Sequence, residues 1–249
     1  MKKSWFSCVV GMLPALLLPG TLLAASAHNN IGVSSVRLVD ALADTAPGLD
    51  RKVLALSIQA MSCALQHGDL RLDPGRLSVI DYSLPSTEPR LWVFDLKRRR
   101  LLFSEWVAHG RNSGENLTSQ FSNRVGSYMS SLGAFATQET YMGGNGYSLR
   151  LQGLEPGFND KARERAIVIH GANYVSPVMA QTQGRLGRSL GCPAVRTQVA
   201  HELIDAIQGG SFVFAYYPDR DWLAHSQLLN CKLDSRFALA DVILDENGI

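Results

Sequence analysis

The feature that limits the fold most is a change of hydrophobic period near residue 68. Before it, apolar residues recur at helical spacing: Leu38, Val39 and Leu42 in one segment, then Val53, Leu54, Ile58, Met61 and Leu65 in the next. Pro47-Gly48 separates the two, so residues 28–76 predict a helical hairpin. After it the apolar runs are shorter and alternate. "RLWVFDL" and "LLFSEWVAHG" read as two strands joined by a basic turn, Lys97 to Arg100. Basic residues confined to so short a span between alternating runs make a solvated hairpin turn rather than a nucleic-acid patch. Between Gly110 and Gly157, Gly, Ser and Asn alternate with aromatic residues, which predicts strands joined by tight turns. "AIVIH" is a buried-strand candidate ending at His170, and "SFVFAYY" is another strand. "VAHELIDAIQGG" reads as a helix with Val199, Leu203, Ala206 and Ile207 on one face. Helices followed by many short strands define an α+β chain. Its parts are a helical N-terminal appendage, a mainly β domain over 77–218 built as a mixed sandwich, and a C-terminal extension over 219–249. From Lys232 onward no element is assigned.

The N-terminus carries the layout of a secretory signal peptide. Lys2 and Lys3 precede an apolar run broken by Pro14 and Pro19, and small residues end it at Ala25-Ser26-Ala27. The prolines and the small-residue end argue against a membrane anchor, and no cysteine at the cleavage point supports a lipoprotein. Residues 1–27 contain two lysines and no Asp, Glu or Arg, so their removal takes the formal net charge of +2 to zero. A neutral mature chain offers no electrostatic footprint for nucleic acid, and no later segment is apolar enough to span a bilayer. The expected location is periplasmic or cell-wall associated, and the expected state a monomer.

Export changes how cysteines are read, because thiols pair in an oxidising compartment. Cys8 falls within the signal segment, which leaves Cys63, Cys192 and Cys231. A Cys63–Cys231 disulfide with Cys192 free is the favoured arrangement, and three buried thiols is the alternative, since spacing does not fix connectivity.

Candidate chemistry gathers around Cys192, between Gly191 and Pro193. A thiolate is the nucleophilic form, and an ordinary thiol is mostly protonated at neutral pH, so a reactive cysteine needs a base or a positive environment. His170, at the end of an apolar strand, could supply the base. Backbone N–H groups of the glycine-flanked turn could receive an oxyanion. The following helix could lend its positive end, directly if Pro193 opens it, less directly if Thr197 is its cap. A zinc hydrolase using His109, His170 and Cys192 is a competing reading, weakened by the absence of HExxH and of paired-cysteine spacing. The other competitor is a non-catalytic wall-binding module on the same fold. His109 in "VAHG" reads as structural.

"HG" at 170–171, a spacer to Arg188 and "SLGC" at 189–192 resemble the signature of the YkuD-like L,D-transpeptidase family, in which His-Gly precedes Ser-His-Gly-Cys. "IDYSLPSTEPRLWVFDL", "SNRVGSYMSSLGAFAT", "GYSLRLQGLEPGFND" and "SLGCPAV" extend the resemblance over Leu77 to Tyr217, toward murein L,D-transpeptidase catalytic domains. Two departures stand out: Leu190 replaces the motif histidine, and Pro193-Ala194-Val195 leaves the usual arginine after the cysteine without a counterpart. The resemblance implies an exported, cofactor-free enzyme acting on peptidoglycan stem peptides, by transfer or by hydrolysis as a carboxypeptidase or endopeptidase. It implies Cys192 as nucleophile, His170 as base, Ser189 or a nearby carbonyl orienting the imidazole, and Gly191 with Cys192 donating to the oxyanion. Gly171 would permit a turn, and Asn173, Tyr174 and Ser176 would line the donor groove. Arg185, Arg188 or Arg196 would receive stem carboxylates.

Overall fold

In the computed structural model the described residues are 30–68 and 72–234, with Met1 and Leu239; the signal segment and Cys8 lie outside them. Helices α1 (Asn30–Ala43) and α2 (Arg51–His67) form the expected hairpin. Asp50 caps α2 by accepting from Lys52 N at 2.6 Å, and Gly68 ends it in the left-handed region at φ +69. The strands are β1 (Asp73–Asp81), β2 (Leu91–Asp95), β3 (Arg100–Glu105), β4 (Gly133–Gly143), β5 (Gly146–Gly153), β6 (Val168–Gly171), β7 (Ala194–Val195) and β8 (Ser211–Tyr216). Between and after them come α3 (Pro177–Gln183), α4 (Thr197–Ile207) and α5 (Arg220–His225).

The eight strands form one mixed sheet in the order β3-β2-β1-β8-β4-β5-β6-β7. β1 pairs with β8 and β6 with β7 in parallel; the remaining neighbours are antiparallel. Two-residue alternation sorts the side chains onto two faces. Trp92, Phe94, Phe212 and Phe214 pack toward α1 and α2, which bring Leu42, Leu54, Ile58 and Met61. Leu91, Val93, Val213 and Ala215 pack toward α4, which brings Leu203, Ile204 and Ile207. The N-terminal helices therefore share a core with the sheet. Truncating a side chain as large as Trp92 there costs about 3–5 kcal/mol.

The basic turn closes the β2–β3 hairpin as the alternation predicts, with Asp95 accepting from Arg98 N and Nη1 at 3.0 Å each. The face of α4 runs through Ala200, Leu203, Ile204 and Ile207; Val199 and Ala206 lie at its edges, one position off the predicted stripe. The Ser- and Asn-rich segment diverges more. Strands β4 and β5 occupy its second half, but residues 111–132 form a loop, because side chains take the bonds a ladder would use. Ser113 Oγ accepts from Ser130 N at 2.9 Å, and Asn112 donates to Ser127 O at 2.8 Å. At the other end of the chain, Trp222 of α5 is buried and donates to Glu155 at 3.0 Å. Cys63 and Cys231 are joined as a disulfide with Cα atoms 6.4 Å apart, and Cys192 is a free thiol. Among the described residues no helix is long and apolar enough to cross a membrane.

Candidate active site

Cys192 stands at the end of a tight turn built by Ser189. Ser189 Oγ accepts from Gly191 N at 3.0 Å and donates to Cys192 O at 2.6 Å, so one hydroxyl ties both peptide units. The turn hangs on the segment after β3: Ser189 N donates to His109 O at 2.9 Å and Arg111 N to Ser189 O at 2.8 Å. Ser130, whose Oγ accepts from Gly110 N, donates to Gly191 O at 3.3 Å. Gly191 has φ +124, and a Cβ there would lie 2.8 Å from Met129 O, so both its conformation and its surroundings require glycine. Since its N–H is spent on Ser189, the Cys192 N–H is the amide of this pair left without an intramolecular acceptor among the described residues.

His170 comes from the neighbouring strand, in register with Ala194, two residues beyond the cysteine. The buried imidazole bonds through Nδ1 to Gly171 O at 2.9 Å. A carbonyl can only accept, so the proton sits on Nδ1 and Nε2 presents its lone pair. Burial holds the His170 imidazole below its ordinary value, opposed by the Gly171 bond. Burial pushes the Cys192 thiol up, opposed by the Val168 backbone and the positive charge of Arg165. Both shifts favour the neutral thiol and the neutral imidazole at rest. In this state the sulfhydryl donates to Ala166 O at 3.7 Å rather than to the ring. Gly171 lets β6 approach α4, since a Cβ there would lie 2.9 Å from Ala200 Cβ.

The segment after His170 folds over a small core of Ala108, Ala172, Val175, Ala180, Leu186 and Ala194. Asn173 is exposed on it. Tyr174 is half-buried and its phenol is pushed up to about 12, first by burial and then by proximity to the Cys192 charge. Ser176 caps α3, accepting from Met179 N at 3.1 Å; the Ser-Pro pair at 176–177 was the local signal for this helix. Arg188 bonds Glu115 at 2.6 Å and Arg185 reaches the same carboxylate at 2.9 Å, clipping their loop to the 111–116 segment. Arg196 forms a two-point pair with Glu105 at 2.8 and 2.6 Å and lies over Trp106. The three arginines thus all hold protein carboxylates. Leu190, in the place of the motif histidine, is 59% exposed beside the turn.

The helix does not reach the cysteine. Arg196 is the N-cap of α4, and β7 separates Thr197 from Cys192, so Pro193 does not open the helix and the macrodipole, which fades within a turn, is not directed at the sulfur. His109 is fully engaged: Nδ1 receives Arg90 Nη2 at 2.7 Å and Nε2 faces Gly114 O at 3.3 Å. Two residues near the sulfur were not visible in the sequence. Ser130 and Arg165 approach Gly191 from elsewhere in the chain, and no local pattern marks either.

Residues 45–216 match the sequence family described as the L,D-transpeptidase catalytic domain. The chain belongs to that family, and its fold is the YkuD-like mixed-sheet domain with helices on both faces. Among solved structures it is similar to an L,D-transpeptidase from Mycobacterium smegmatis, at 13% identity and a TM-score of 0.37, covering 57% of this chain and 59% of that one. It is also similar to the helical cell shape determining protein Pgp2 from Campylobacter jejuni, at 13% identity and a TM-score of 0.38, covering 66% of this chain and 57% of that one. The chain spans less than two-thirds of the length of either structure. No curated protein matches it.

Proposed function

We propose that the protein is an exported cysteine L,D-transpeptidase that acts on peptidoglycan tetrapeptide stems. Membership of the L,D-transpeptidase family supports the reaction class. The observation that carries the residue assignment is the Nδ1 bond of His170 to Gly171 O, which keeps Nε2 as the free base on the strand beside Cys192.

In this reading the S–H leaves Ala166 O and passes its proton to His170 Nε2 as the sulfur attacks the carbonyl carbon after the third stem residue. A C–S bond forms, and the carbonyl oxygen takes the negative charge against the Cys192 N–H. Collapse breaks the C–N bond. His170 returns its proton to the departing D-alanine amine, leaving the stem as a thioester. The amine of a second stem then attacks the thioester, giving a proton to His170; a new amide C–N bond forms, the C–S bond breaks, and His170 returns the proton to the departing sulfur, which makes a 3-3 crosslink. A neutral resting pair suits this sequence, because the proton moves only when substrate is in place. Tyr174, close to the sulfur, and the exposed Asn173 line the donor side. Gly171 lets the strand that carries His170 close on α4. Arg185, Arg188 and Arg196 contribute by fixing the loops around the site, through Glu115 and Glu105.

Incubation with tetrapeptide-bearing muropeptides and mass spectrometry tests the proposal. Dimers with loss of D-alanine are the expected products, and tripeptides alone would replace transfer with hydrolysis. Cys192→Ala should abolish both while leaving the thermal unfolding transition in place. Full activity in that variant would overturn the assignment of the nucleophile.

A further inference from the structure

Arg165 immediately precedes the residue that receives the thiol. Ala166, at φ +53, turns the chain into β6 and offers the carbonyl to which Cys192 donates. The Arg165 guanidinium runs back beneath the nucleophile turn: a Cβ on Gly191 would lie 3.3 Å from its Nη2. Its donors go to the loop that supports the turn. Nη1 bonds Ser122 O at 2.6 Å and the Ser131 hydroxyl; Nη2 bonds Ser127 Oγ at 3.1 Å and Met129 O at 2.5 Å. Met129 O is also the atom nearest the Gly191 Cβ position, so the cation braces the wall on which the turn rests.

None of these partners is a carboxylate. Unlike Arg185, Arg188 and Arg196, Arg165 is a half-buried cation with no acidic side chain among its hydrogen-bond partners. Such a charge favours any anion that forms nearby, and the acid close enough to interact with it is Cys192. The other titratable groups that interact with the sulfur are Tyr82 and Tyr174, both pushed up to about 12, and His170 sits on β6 in register with Ala194. The phenols stay neutral through the range in which a thiol titrates, which leaves Arg165 as the fixed charge.

We propose that Arg165 is a positioning residue for Cys192, clamping the 122–131 loop under the nucleophile turn and holding an uncompensated positive charge beside the sulfur. This rests on the reading of Cys192 as nucleophile, but its test does not need substrate. The rate of Cys192 alkylation by iodoacetamide is followed against pH in the full chain, resolved by peptide mass spectrometry, for the wild type, Arg165→Gln and Arg165→Lys. In Arg165→Gln the midpoint should rise by about one pH unit, slowing alkylation about tenfold below it. In Arg165→Lys the midpoint should stay within a few tenths, while muropeptide turnover falls because an ammonium cannot span the same partners. An unchanged midpoint in a folded Arg165→Gln protein would overturn the proposal. Should that variant fail to fold, a midpoint raised by a full unit in folded Arg165→Lys would overturn it equally. If Cys192→Ala proved active, the assignment of Cys192 as nucleophile would fall, while the alkylation shift could still be measured in the Arg165 variants.

Discussion

His109 and His170 are both buried, both held below the ordinary imidazole range, and both bonded through Nδ1, yet their surroundings differ in one respect. At His109 each ring nitrogen has a partner: the Arg90 guanidinium donates to Nδ1 and Gly114 O accepts from Nε2. At His170 the backbone takes one nitrogen and leaves the other without a hydrogen-bond partner among the described residues. Burial alone therefore does not equip a histidine to act as a base; the role proposed for His170 needs a lone pair left over after packing. Arg90 enforces the distinction. It is fully buried, and its remaining bonds run to Val107 O and Leu84 O, so its charge suppresses protonation of His109 and locks the tautomer.

The largest expected effect separates the two residues directly. His170→Ala should lower the rate of D-alanine release by about 10²–10⁴-fold, the usual value of a positioned acid/base, with little change in melting temperature. Near-wild-type kinetics in that variant would erase the contrast. His109→Ala should show the reverse balance. It strands an Arg90 donor in the interior, while the Gly114 carbonyl keeps its bond from Arg188, at a cost of about 1–3 kcal/mol, which chemical denaturation would register as a lower midpoint.

The elements were readable where a single period dominates. Helix α2 and the β2–β3 hairpin follow from apolar spacing and turn chemistry, and Cys192 and His170 from a motif that carries its own chemistry. What the sequence withheld depends on long-range contact. Arg165 lies 27 residues before Cys192, and the turn at Ala166 brings the two together. Arg90 looks like a surface residue ahead of a strand, but a histidine 19 residues later pairs with it. Arg196 invites a substrate role until Glu105, 91 residues earlier, is seen to occupy it. Of the two helix starts considered after Cys192, the one at Pro193 failed for a local reason, and the helix begins at Thr197 with Arg196 as its cap. A two-residue strand requires fewer residues than any hydrophobic pattern needs to be detected, and β7 is such a strand.

Effects of pH sharpen the contrast further, because one titration governs stability and the other governs rate. His109 falls from 6.5 to about 4 in the folded chain, first through burial and then through the charges of Arg90 and Arg188, against the Gly114 and Glu115 backbone bonds. The unfolded chain accepts the proton first as pH drops. The stabilisation is therefore complete above 6.5, declines between 6.5 and about 4, and amounts to about 3 kcal/mol in all. His109→Asn keeps an acceptor near the Nδ1 position but removes the titration, so its unfolding free energy should vary less with pH across that window. His170 is also lowered, and in the proposed reaction its neutral form is the base, so kcat/KM should fall on acidification with a midpoint below the ordinary 6.5. That limb should be the same in His109→Asn as in the wild type. If it moved with the substitution at 109, the two histidines would be coupled through the Ser189 turn, and the division between a structural imidazole and a catalytic one would have to be redrawn.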